Sequence, residues 1–259
     1  MFLQHTIRRF CGKIFYTKKI TDLFLILFII ITGKERFLIM GIRKSSGSII
    51  NFPKENEPVK GCTISEQLCN ENGMSVFVFS MAEGTSISAE NYEYHKIITV
   101  YDGDIEVFAS NGNIWHLGVG DSIVTDIDIS VGIKSKNSCV FTEISLRKDD
   151  IMNEIIKSGE VFRLGELLPY QEGKIVNMDL VNNDKMKFVI MSFDAGTGLS
   201  EHAAPGEALV FALDGEAVIG YEGKDYLLKA GETFKFDKLG KHSVKAESRF
   251  KMALLLVFD

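Results

Sequence analysis

The chain has 259 residues, 46% of them hydrophobic and 25% charged, with a net charge of −6. That length supports one large or two ordinary cores. Residues 1–39 hold seven Lys/Arg against two Asp/Glu and the remainder 22 against 33, so the body of the chain is acidic and has no basic stripe for nucleic acid.

The amino terminus differs from the rest. Arg8, Arg9, Lys13, Lys18 and Lys19 precede an apolar run, Leu23 to Ile31, that Asp22 and Lys34 bracket. Only eleven uncharged residues lie between those charges, against the roughly 20 a spanning helix needs. Three readings of residues 1–39 stay open: a signal segment without a small-x-small cleavage site, an interfacial anchor, or an upstream stretch translated ahead of a true start at Met40. In the last case Lys34-Glu35 would be the translated purine-rich run of a bacterial ribosome-binding site. Without an anchor, the expected location is cytoplasmic. Cys11, Cys62, Cys69 and Cys139 show no CxxC and no zinc spacing, as expected of free thiols in a reducing cytosol.

A repeat then organises the chain. With a shift of 112, Ser80-Met-Ala-Glu-Gly84-Thr85 lies on Ser192-Phe-Asp-Ala-Gly196-Thr197, and Asp102-Gly103 lies on Asp214-Gly215. After a one-residue gap the shift becomes 111, placing Gly120-Asp121 on Gly231-Glu232. The matches fall at turns, where geometry demands particular residues. The copies span 49–147 and 161–259. Between them, residues 148–159 predict a short helix, with Ile151, Ile155 and Ile156 as its apolar stripe and Gly159 as its stop. Strands are expected at Val76–Met81, Phe188–Phe193 and Phe250–Phe258, the last apolar enough for burial on both faces.

In the second copy, Gly196 to Gly215 carries a single histidine, His202, a Pro205-Gly206 turn, and an apolar run closing on Asp214-Gly215, a hairpin signal. Turns follow at Glu222-Gly223-Lys224 and Ala230-Gly231-Glu232, then His242, expected to face His202 across a barrel. The first copy puts Glu90, Tyr92 and Val131 at the places of His202, Ala204 and His242, which predicts a structural role for it. Tyr92, Tyr94 and Tyr101 are expected to pack there or to line a closed pocket, and His116 to be exposed. No GxSxG, HExxH or phosphate-cradling loop is present.

The spacing of Gly196, His202 and Gly215, and of Gly231 and His242, resembles the two motifs of the cupin superfamily. Ala204 and Ala208 stand where that family has a second histidine and a glutamate. Asp237 and Leu239 stand where it has proline and glycine. The resemblance covers nearly all of residues 49–259. It implies an all-β bicupin: two tandem jelly-roll-like barrels joined by a short helix. It also implies a site around His202 and His242 that binds a small molecule, either directly or with one weakly held divalent transition metal (Fe, Mn, Ni, Cu or Zn) taking part. Glu207 is the candidate third ligand. It lies one residue off the motif, so a regular strand would turn it outward unless a bulge re-aims it. The alternative is a metal-dependent cupin enzyme of oxygenase or isomerase type. A homodimer through barrel packing is the expected assembly.

Overall fold

The computed structural model describes residues 44–71, 74–147 and 153–258, and the backbone of a short pairing between Arg9–Phe10 and Lys13–Ile14. Apart from those four positions, residues 1–39 lie outside the described residues. Among the described residues no helix is long and apolar enough to cross a membrane.

The strands form two sandwiches of matching topology. The first packs a sheet in the order Val161–Arg163, Asp121–Val124, Tyr94–Asp102, Cys139–Arg147, Met74–Met81, Thr63–Glu71 against a sheet of Ser86–Glu90, Val131–Ser135, Ile105–Ala109 and Ile114–Leu117. The second has Ile175–Asn182, Met186–Phe193, Phe250–Val257, Glu207–Tyr221, Thr233–Phe236 and Ile49–Ile50 in one sheet. Its other wall pairs Thr197–Ala203 with Lys241–Ala246, then with the far half of Glu207–Tyr221 and with Lys224–Lys229.

The outermost strand of each large sheet comes from the segment leading into the other barrel. Ile49 and Ile50 pair with Phe234 and Thr233; Val161 and Phe162 pair with Ile123 and Ser122. Two glycines repeat the match: Gly47 donates to the carbonyl of Lys235, and Gly159 to that of Val124. These contacts obey the shifts of 112 and 111, so the repeat read at the turns is a repeat of tertiary structure. Each exchanged segment covers a sheet edge that would otherwise present unpaired backbone groups.

Three apolar cores result. Phe141, Ile98 and Val107 belong to the interior of the first barrel, and Phe234, Phe236 and Phe250 to that of the second. The third lies between the barrels, where Val76, Ile144, Phe188 and Leu255 meet Phe52. Strand Phe250–Val257 accordingly buries both faces, Phe250 and Met252 inward and Ala253, Leu255 and Val257 toward the other barrel. Phe52 sits in a four-residue helix, Phe52–Glu55, capped by the Asn51 side chain. Its ring meets Tyr101 edge-on at 5.2 Å and lies 6.4 Å from Phe211.

Two expectations are corrected. Asp214-Gly215 is not a hairpin; it lies inside the continuous strand Glu207–Tyr221, where the register shifts as the chain passes from one wall to the other. Gly215 has φ +71°, and a Cβ there would lie 2.0 Å from the Arg249 carbonyl oxygen, so glycine is set by a close backbone approach. Gly103 repeats this against the carbonyl of Ser138. The true hairpin turn is Glu222-Gly223, both at positive φ between Tyr221 and Lys224. Secondly, residues 153–160 form turns rather than the predicted helix, and 148–152 lie outside the described residues. Tertiary bonds win there: Asn153 donates to Leu180, Gly159 to Val124, and Trp115 Nε1 to the Gly159 carbonyl, while Ile156 enters the inter-barrel core.

Phe52→Ala should therefore cost about 3–5 kcal/mol, as expected for a fully buried Phe. Urea unfolding measures this, and a loss below about 1 kcal/mol would show that the exchanged segment is not integral to the fold.

Candidate functional site

Strands Thr197–Ala203 and Lys241–Ala246 pair with His202 directly opposite His242. The two rings are cross-strand neighbours on one wall, 4.3 Å apart between centroids, rather than facing each other across the barrel. A register shift between Leu199 and His202 aligns them. His242 shares its inward face with Val244 and Ala246 and is 7% exposed. Its ring stacks on Phe236 at 4.0 Å. His202 is exposed, so the pair runs from the apolar interior to solvent.

Both imidazoles are oriented by backbone. His202 Nδ1 lies 2.8 Å from the Ser200 carbonyl and His242 Nδ1 2.9 Å from that of Gly240. A carbonyl accepts only, so each Nδ1 carries the proton and each Nε2 is left for a ligand. The loop before His242 is pinned: Leu239 N–H donates to Ala204, Gly240 N–H to Asp237, and Asp237 accepts from Ser46 of the exchanged segment. Leu239 takes φ +62°, a conformation that explains why the resemblance expects glycine there.

Glu207 does not join the pair. Its neighbour Ala208 belongs to the interior core, and Glu207 points to the opposite face, where Lys235 Nζ lies 3.4 Å from its Oε1. Lys235 is itself buried and also reaches Asp237 at 3.3 Å. No bulge re-aims the carboxylate. Among the described residues no three His, Cys, Asp or Glu side chains gather as a metal set. His202 and His242 are the two imidazoles that come together there, where transition-metal sites usually have three or more protein ligands.

The other candidates fall elsewhere. His95 Nδ1 bonds the Thr125 carbonyl, and His116 is exposed. Tyr101 packs between the barrels rather than beside Tyr92 and Tyr94. Cys62, Cys69 and Cys139 are free thiols. Spacing alone missed the backbone anchoring of the two imidazoles and the Phe236 ring beneath His242. Alternation in Thr-Phe-Lys-Phe236, which turns Phe234 and Phe236 to the same face, was the available signal for the latter.

Tandem jelly-roll barrels with an imidazole pair at the mouth of one define a cupin-type double barrel. Residues 189–258 match the cupin domain family, and the match together with cupin-barrel structural neighbours supports the cupin superfamily for this fold. Among solved structures, a cupin 2 conserved barrel domain protein from Leptotrichia buccalis is 29% identical, with 83% of this chain and 99% of that chain covered and a TM-score of 0.74. A variant of salicylate 1,2-dioxygenase from Pseudoaminobacter salicylatoxidans is 11% identical, covers 93% and 95%, and has a TM-score of 0.58. A putative glyoxylate induced protein from Pseudomonas aeruginosa is 12% identical, covers 86% and 93%, and has a TM-score of 0.56. The last two show a shared fold. No curated protein sequence matches the chain.

Burial holds the His242 pKa below its ordinary 6.5; the Gly240 carbonyl opposes this and His202 adds to it. The unfolded chain therefore binds a proton more readily than the folded one, so the His242 contribution to stability is present above pH 6.5 and is lost as pH falls through the lower folded value. Urea unfolding between pH 7 and 5 should show a steeper loss for the wild type than for His242→Gln. Equal slopes would contradict this.

Proposed function

We propose that the chain binds a small polar molecule at the mouth of the second barrel, with His202 and His242 presenting their Nε2 atoms to it. The observation that carries this is the cross-strand imidazole pair with each Nδ1 tied to a backbone carbonyl. With Nδ1 donating to a carbonyl, the neutral form of each ring presents Nε2 as an acceptor, which suits hydroxyl groups on neighbouring carbons of a ligand. Phe236 and Tyr221 give the site an apolar floor.

Anchored Nδ1 atoms are also how metal-ligating histidines are held. That favours a second reading, in which a divalent transition metal enters with a chelating ligand that completes its coordination. An oxygenase or isomerase would need the metal held firmly with positions left open. Two protein ligands weigh toward binding, and the dioxygenase likeness extends to the fold alone.

Saturation-transfer NMR with glycerol, glycolate and catechol, each with and without nickel(II), tests the proposal. At least one probe should bind the wild type and lose about tenfold or more in affinity in His202→Ala and in His242→Ala, a loss typical of removing a hydrogen-bonding partner. His95→Ala should bind unchanged. Binding of no probe, or equal binding by all variants, would sink the assignment. Dependence on nickel would select the second reading.

A further inference from the structure

The first barrel has its own polar cluster at the repeat-equivalent place. Shifted by 112, His202, Ala204 and Ala208 become Glu90, Tyr92 and Lys96. The strand register agrees: Lys96 is opposite Ser145 as Ala208 is opposite Leu256. Lys96 alternates with Ile98 and Val100, and Glu143 with Phe141, so both side chains point into the first barrel.

There the Lys96 ammonium is held as a ligand would be. Its Nζ lies 3.0 Å from Glu143 Oε1, 3.5 Å from the centre of the Tyr92 ring and 5.8 Å from that of Tyr94. The two tyrosine rings are 5.0 Å apart, and Tyr92 donates its hydroxyl to Glu90 at 2.6 Å. A carboxylate with aromatic faces around a cation is the arrangement that recognises ammonium groups. Glu143 is buried, and burial raises its pKa while Lys96 lowers it. The carboxylate therefore depends on a cation at that point. In the second barrel Ala208 stands in place of Lys96 and Leu254 in place of Glu143, so this device is confined to one copy.

We infer that the first barrel is an ammonium-binding site whose occupant is the chain's own Lys96. With that side chain shortened, the same groups would take up a small primary alkylammonium ion. The inference stands on the first-barrel geometry and does not need the second-barrel reading to hold.

Thermal unfolding of the full chain tests it, with ethylammonium chloride as probe and sodium and tetramethylammonium chlorides as controls at equal ionic strength. Lys96→Ala should unfold at a lower temperature than the wild type. Ethylammonium should raise its midpoint by about 3–6 °C at roughly ten times the dissociation constant, and leave the wild type unmoved. The double variant Lys96→Ala/Glu143→Gln should not respond. If Lys96→Ala fails to fold alone, refolding from urea should recover it in ethylammonium and not in the controls. An equal effect of all three salts, an equal rise in the wild type, or equal refolding yields would overturn the inference.

Discussion

The apolar seam between the barrels is the constraint from which the rest follows. Phe52 and Leu164 enter it from the two exchanged segments, and strands from both barrels supply the remainder. Because Ile49–Ile50 closes an edge of the second barrel and Val161–Arg163 an edge of the first, neither barrel has a complete sheet of its own. Burial on both faces of Phe250–Val257 follows directly: one face fills a barrel and the other fills the seam. The seam also positions the candidate site. Ser46, on the exchanged segment, bonds Asp237 at the start of the loop whose Gly240 carbonyl orients His242.

One scaffold thus carries two different mouths. The second pairs two imidazoles, one of them stacked on the Phe236 ring, and has Ala208 at the place of Lys96. The first fills the same frame with Tyr92, Lys96 and Glu143. The backbone is equivalent down to positive φ at Asp128 and Leu239, so the difference lies in side-chain volume and charge. In the first barrel the buried Glu143 carboxylate already has its cation in Lys96.

Much of the fold was legible because the repeat sits at glycine turns and its strands alternate clearly. Gly84 and Gly196 both adopt the left-handed conformation expected of matched turns. The Asp-Gly pairs misled because a glycine with positive φ serves a bulge as well as a hairpin, and the Arg249 carbonyl that makes glycine necessary is distant in sequence. The helix expected after residue 148 was a local inference that long-range bonds to Leu180 and Val124 overrode in the described part. Motif spacing singled out His202 and His242, and strand parity alone turns Glu207 to the face where Lys235 lies, away from the place the resemblance gave it as a third ligand. The adjacency of the two histidines on one wall was not legible, because it depends on a register shift between Leu199 and His202. Lys96 and Glu143 escaped notice for a similar reason: they lie 47 positions apart, and only strand pairing brings them together.

The central claim is that the His202–His242 pair of the second barrel, and not the first barrel, takes the ligand. A crystal of the full chain soaked in 4-bromocatechol would test it most directly through the anomalous signal of bromine. The account predicts one peak per chain, at the mouth of the second barrel beside His202 and His242. A peak in the first barrel beside Tyr92 and Glu143, or equal peaks in both, would contradict it.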